Sequence, residues 1–310
     1  MARTRFAPDR GLTVRMGLTM FLLGIVLVAF VAALIGILSY AHASNGAIIF
    51  LAVVFALGMS VGSYFFSDKI ALSAARAREV SPQDAPELHG IVDRLCALAD
   101  MPKPRVAIAE SDMPNAFATG RNSKVAVLCV TTGLLRRLDR SELEGVISHE
   151  MSHVAHRDVA VMTIASFLAI VAGLLVRFAF YSELFGGGRG RRDDNNSAFP
   201  VILVIMLVSV VVYAISFLLI RALSRYRELA ADRSGALLTG QPSALASALQ
   251  KVSGDIARIP TKDLRETAPL NAFYFAPAFA KGTISALFST HPPLEKRLAQ
   301  LAKISQQIGR

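Results

Sequence analysis

Residues 143–176 read LEGVISHEMSHVAHRDVAVMTIASFLAIVAGLLV. In the first part, apolar Leu143, Val146, Ile147 and Val154 recur at helical spacing, with His149, Glu150 and His153 between them. The second part, Val159–Val176, holds no charge between Asp158 and Arg177. A bilayer span needs roughly 17–25 such residues. A helix bearing titratable groups is therefore followed directly by a stretch apolar enough to enter a membrane. That adjacency predicts an integral membrane protein, and the short strands of its polar part make it α+β, mostly helical.

The rest of the chain agrees. It has 310 residues, 53% hydrophobic and only 18% charged, with a mean hydropathy of +0.48. Soluble domains carry about 25% charged residues, so an ordinary soluble enzyme and a disordered chain are both excluded. Cys96 and Cys129 are too few for a disulfide scaffold and lack a CxxC spacing, which points to reduced thiols. The net charge of +10 is not gathered in a groove-binding motif, so nucleic acid is not an expected partner. Arg3, Arg5, Arg10 and Arg15 instead precede the first apolar run, where they address a lipid bilayer.

Four runs are long enough to span: Met16–Ala41, Ala43–Ser67, Val159–Val176 and Ala198–Ile220. The first exceeds the about 7–15 residues of a signal-peptide core, so it reads as one arm of an uncleaved hairpin. Lys69, Arg76 and Arg78 follow the second run, and the connector Tyr40–Gly46 has no Lys or Arg. Both ends of this hairpin should thus lie in the cytoplasm. The connector of the second hairpin, Tyr181–Phe199, carries Arg189, Arg191 and Arg192 among glycines and Asp193-Asp194-Asn195-Asn196. It reads as a solvated linker, and those arginines leave open whether residues 159–220 cross fully or are embedded.

In the polar part, Ser81–Ala99 reads as a helix, and Arg105–Ala109 and Lys124–Thr131 read as strands separated by Gly120-Arg121-Asn122-Ser123. The helix opened near Asp139 has Ser141 and Glu144 at capping-box spacing. Arg221–Leu238, Ser243–Ser253 and Leu294–Ile304 complete the helices, the last after His291-Pro292-Pro293.

His149-Glu150-Met151-Ser152-His153 is an HExxH motif on the capped helix. Residues four apart share a helix face, so both imidazoles can meet one metal, with Glu150 beside the open position to take a proton from water. Chance predicts roughly 0.004 such matches in a chain of this length and His and Glu content. A third protein ligand is needed. His156 lies one turn too far along the axis to share the metal comfortably. Glu228-Leu229-Ala230-Ala231-Asp232 offers two carboxylates four apart. Glu228 would ligate and Asp232 would orient a ligand imidazole, unless the pair merely balances Arg225, Arg227 and Arg233 on a solvated face.

Asn115-Ala116-Phe117-Ala118-Thr119-Gly120, HEMSHVAHRD (149–158), SRYRELAAD (224–232) and THPPLEKR (290–297) together resemble the HtpX family of bacterial membrane metalloproteases. The hydrophobic hairpins match in position as well. The resemblance implies a gluzincin-like domain with one Zn2+ per subunit held by His149, His153 and Glu228, and Glu150 as general base. It also implies proteolytic quality control of membrane proteins in the bacterial inner membrane, within a stress response. By the same resemblance Asn115, Ala116 and Phe117 line the substrate cleft, unless they form an ordinary turn. His291 either donates to the developing oxyanion or packs at the start of its helix, and Asp158 anchors the membrane edge structurally.

The expected division is a cytoplasmic tail (1–15), a transmembrane hairpin (16–67), a first catalytic half with the HExxH helix (68–158), a second hairpin (159–220) and a second catalytic half with the third ligand (221–310). Cytoplasmic segments of misfolded or damaged membrane proteins are the expected substrates. A prenyl-protein endopeptidase enclosed by many helices needs more spans than these four. A catalytically silent zinc scaffold has no use for Glu150, and an anionic-lipid binder rests on net charge alone. If the HExxH helix continues, His153 lies about 9 Å before Val159, and Glu228 lies about 12 Å beyond Ile220. The metal should then sit roughly 10–15 Å from the cytoplasmic membrane surface.

Overall fold

Asp139, not Ser141, starts the helix that carries the HExxH residues. Its carboxylate accepts from the backbone N–H of Ser141 and Glu142, and Glu142 returns the bond from the N–H of Asp139 at 3.0 Å. The expected Ser141–Glu144 box is displaced because Glu144 pairs with Arg94 at 3.2 Å. Glu142 is buried and also accepts from Ser247 and Lys251.

The structure is a computed structural model and describes residues 10–40, 46–186, 199–256 and 291–309. Its elements in chain order are α1 (Arg10–Tyr40), α2 (Gly46–Ala74), β1 (Ala77–Glu79), α3 (Pro86–Ala99), β2 (Arg105–Ala109), β3 (Ala116–Thr119) and β4 (Val127–Thr131), then α4 (Thr132–Arg137), α5 (Arg140–Ala155), α6 (Asp158–Gly186), α7 (Phe199–Thr239), α8 (Pro242–Ile256) and α9 (Leu294–Ile308). The chain divides into two compact units, one of residues 1–16, 63–161 and 221–310, the other of residues 17–62 and 162–220.

The second unit is built from the apolar middles of α1, α2, α6 and α7, which meet at Phe30, Leu34, Ala56, Leu168, Ala172, Leu175 and Val212. Its outer surface is apolar too: Val28 is 70% exposed, Phe50 67% and Val211 57%. Large side chains left outside a packed bundle suit lipid, not water. Among the described residues, Arg10–Ile37, Asp158–Tyr181 and Val201–Thr239 are long and apolar enough to cross a membrane. The expected span 43–67 falls on α2 but lies partly outside the described residues, as does the expected linker 181–199. The third run is longer than its charge-free core suggested, since α6 continues through Arg177 to Gly186.

In the other unit a four-stranded sheet of order β1-β2-β4-β3 packs with α3, α5, α8 and α9. β2 and β4 run parallel, and the flanking strands are antiparallel, with Phe117 opposite Cys129. Strand β3 forms an edge. The second expected strand begins only at Val127, because Asn122 caps the preceding turn by accepting from Lys124 and Val125. Helix α3 starts at Pro86 rather than Ser81, where Asp84 closes a turn back onto Ser81. The separate helix expected at 221–238 is the end of α7.

The HExxH helix does not run on into the apolar stretch: α5 ends at Ala155, His156 caps it, and Arg157 takes φ 56° before α6 begins at Asp158. A side chain at positive φ is uncommon, and neither Gly nor Pro marks the break.

Candidate active site

Two close approaches bring the chemistry together. Gly145 of α5 lies against α8, where an added Cβ would meet Leu245 Cα at 3.2 Å. Gly235 of α7 lies against His149 itself, where a Cβ would stand 3.0 Å from the His149 backbone nitrogen. Ser148 Oγ donates across this contact to the Gly235 carbonyl at 3.2 Å. With α7 so near, Glu228 and Asp232, two and one turns earlier, face α5.

His149 Nε2 lies 3.2 Å from His153 Nε2 and 3.5 Å from Glu228 Oε2, and His153 Nε2 lies 3.5 Å from Glu228 Oε1. All of these side chains are at least largely buried. The far side of each imidazole faces a carboxylate: His149 Nδ1 lies 2.9 Å from Asp232 Oδ1, and His153 Nδ1 bonds Asp158 Oδ2 at 2.5 Å. Both rings then turn Nε2 toward the same point, where a metal ion can lie between them. Donors about 2.0–2.1 Å from a tetrahedral zinc stand about 3.4 Å apart. The three observed separations match that edge length, so these residues fit zinc. Among the described residues this is the one cluster of such donors, and His156 is not part of it.

Glu150, 5% exposed, has its carboxylate against β3, where the Ala118 N–H donates to Oε2 at 3.1 Å. Burial pushes its carboxyl above the ordinary glutamate value, opposed in part by the neighbouring imidazoles. For His149, burial alone would lower the imidazole, but its bonds to Asp232 and Glu228 hold it up at about 9. Asn115 is buried and tied through its backbone to Thr131, Ala116 pairs with Val130, and the Phe117 ring packs with Ala107, Val127 and Cys129. His291 Nδ1 reaches Glu228 Oε2 at 2.9 Å.

Arg297 was not singled out by sequence reasoning. It is 1% exposed and grips Asp232 with two bonds, Nε to Oδ2 at 2.7 Å and Nη2 to Oδ1 at 2.6 Å. The signal was present, since Arg297 occupies the buried stripe of α9 with Leu301 and Ile304. The Ala118 amide and Gly235 were missed as well, and no local pattern marks either.

The model of a known family, described as Peptidase family M48, matches residues 82–305 of this chain. The chain belongs to peptidase family M48. It is 62% identical over 308 residues to protease HtpX homolog 1 of Streptomyces coelicolor, covering 99% of this chain and 97% of that one. It is 52% identical over 309 residues to the HtpX homolog of Moorella thermoacetica (99% and 98% covered) and 49% identical over 307 residues to HtpX homolog 2 of Methanosarcina mazei (99% and 100%). In fold it resembles the crystal structure of S. mikatae Ste24p, with a TM-score of 0.53 and 16% identity over 93% of this chain and 67% of that one. M48 proteases are in general zinc metalloproteases. This M48 chain groups with the HtpX proteases and is a membrane-associated metalloprotease acting on protein substrates.

Proposed function

We propose that His149, His153 and Glu228 hold one zinc ion per subunit, and that Glu150 uses it to cut cytoplasmic segments of misfolded or damaged membrane proteins. The observation that carries this reading is the 3.2–3.5 Å triangle of donors on α5 and α7. When bound, zinc lowers the pKa of a water molecule and polarises the scissile carbonyl. Glu150, its proton affinity raised by burial, accepts the proton of the attacking water and passes it to the departing amine. Asp232, clamped by Arg297, keeps His149 in the tautomer with Nε2 unprotonated. His291 presents its second nitrogen to the developing oxyanion.

The substrate lies extended along β3. Residues of a strand alternate in the side to which their backbone groups point. Because Asn115 O accepts from Thr131 N on the β4 side while Ala118 N turns to Glu150, Ala116 and Ala118 face the outer edge. A peptide added there is held by Ala116 and passes Glu150. Asn115 and Phe117 anchor the strand from its other side.

Residues 16–67 and 159–220 form two hairpins in the bacterial cytoplasmic membrane, and the arginines ahead of α1 together with Lys69, Arg76 and Arg78 favour a catalytic domain in the cytoplasm. Ile220 and Glu228 share the unbroken α7, so the third ligand is about 12 Å of helix from the end of the apolar run. Substrates near their own exit from the bilayer are therefore preferred. Casein degradation by detergent-purified protein should disappear on chelation and return with zinc. In proteoliposomes, one cleavable segment moved away from a transmembrane helix by a stiff helical spacer should be cut less as the spacer grows. Activity indifferent to chelation, or equal cleavage at every spacer length, would count against the reading.

A further inference from the structure

The two imidazoles are held in different ways. His149 is oriented by Asp232, four residues from Glu228 on α7, whereas His153 is oriented by Asp158, the first residue of α6. Had α5 continued, residue 158 would lie about 140° around the helix from residue 153, at 3.6 residues per turn, and its carboxylate would point away. The left-handed turn at Arg157 brings it back. Asp158 Oδ2 then accepts from both His153 Nδ1 at 2.5 Å and Arg227 Nη2 at 2.6 Å. The pair is enclosed, with the Arg227 side chain 11% exposed and that of Asp158 8%. Arg227 directly precedes Glu228, so a single turn of α7 supplies the third zinc donor and the cation that secures the partner of the second.

We propose that Asp158 and Arg227 are positioning residues for the zinc site, which fix the tautomer and direction of His153 and thereby set metal affinity. Asp158 is thus more than a structural anchor at the membrane edge. A carboxylate on Nδ1 keeps the proton there and leaves Nε2 as the donor, and losing such a partner weakens metal binding about 10- to 100-fold. Arg227, 2.6 Å from the same carboxylate oxygen, keeps Asp158 aimed at His153, because an unpaired charge in that position would turn outward. The proposal rests on the zinc reading above.

The test uses full-length protein in detergent. Zinc affinity is measured by competition with a chromogenic chelator, and the absorption bands of the Co2+-loaded protein report ligand geometry. His149→Ala serves as the reference for the zinc reading itself, and Arg94→Ala removes another ion pair of α5 (with Glu144) away from the metal. Asp158→Asn and Arg227→Gln should each weaken zinc about 10- to 100-fold and shift the cobalt bands. Arg227→Lys should recover part of the affinity lost in Arg227→Gln, and this comparison decides the matter if Asp158→Asn does not fold. Arg94→Ala should bind zinc as wild type does. If His149→Ala loses zinc while Asp158→Asn, Arg227→Gln and Arg227→Lys all bind it with wild-type affinity and spectra, the positioning role is overturned and the zinc site stands. If His149→Ala keeps zinc, the zinc reading itself is wrong.

Discussion

Gly235→Ala probes how closely α7 must approach α5 for the site to form. The added methyl would lie 3.0 Å from His149 N, 3.2 Å from His149 Cα and 3.2 Å from Ser148 C, all backbone atoms of α5 that cannot rotate away. Ordinary contact begins near about 3.5 Å, so α7 must retreat by roughly 0.5 Å. Zinc sites tolerate about 0.2 Å in ligand distance, and Glu228 rides on the same helix two turns earlier. Overpacking of this kind costs about 1–3 kcal/mol, partly offset by the about 1 kcal/mol that alanine gains over glycine within a helix. Stability should therefore change by less than about 2 kcal/mol. If the strain is expressed at the metal, affinity should fall about 5- to 150-fold. Gly90→Ala is the control: it is an exposed position in α3 where an added Cβ meets nothing within 4 Å. That variant should gain about 0.5–1 kcal/mol and bind zinc normally. Thermal melting of metal-free protein and chelator competition measure the two quantities. Should Gly235→Ala match Gly90→Ala in both, the contact between α7 and α5 does not govern the third ligand.

Glu228→Ala should abolish zinc binding and proteolysis together, whereas His156→Ala should retain zinc; metal analysis of the purified variants checks this, and the reverse pattern would displace Glu228 from the ligand set. In metal-free protein the folded-state value of His149, about 9 against an ordinary 6.5, stabilises the chain fully below pH 6.5 and ceases to do so as pH rises through 9. The melting temperature after chelation should fall across that interval and fall much less with zinc bound; a flat metal-free profile contradicts the bonds drawn for His149. Burial pushes the Cys96 thiol up to about 11 and that of Cys129 up to about 12. Iodoacetamide at neutral pH should therefore label neither until the chain unfolds, and rapid labelling of native protein would show that one of them is accessible.

What the sequence made legible was local and periodic. The apolar runs announce themselves by length, and His149, Glu150 and His153 by fixed spacing on one helix. The sequence left the choice of cap ambiguous, since Asp139–Glu142 and Ser141–Glu144 share a spacing; tertiary partners of the two glutamates, Lys251 and Arg94, decide between them. Strands β1 and β3 have only three and four residues and little β-branched character, so they become strands through pairing with β2 and β4. The break at Arg157 carries no glycine or proline, and it is stabilised by contacts that Asp158 makes with His153 and with the distant Arg227. Arg297 illustrates the same limit: a cation on an apolar stripe looks like a defect until Asp232 is placed beside it.

The most direct test of the account replaces Glu150 with Gln. Zinc per chain and casein degradation are then measured on the same purified sample. The three donors are untouched, so one zinc per subunit should remain, while removal of the base should lower proteolysis by about 10²- to 10⁴-fold. A Glu150→Gln protein that loses its zinc, or that holds it and still cleaves near the wild-type rate, would contradict the division of labour between the metal ligands and Glu150.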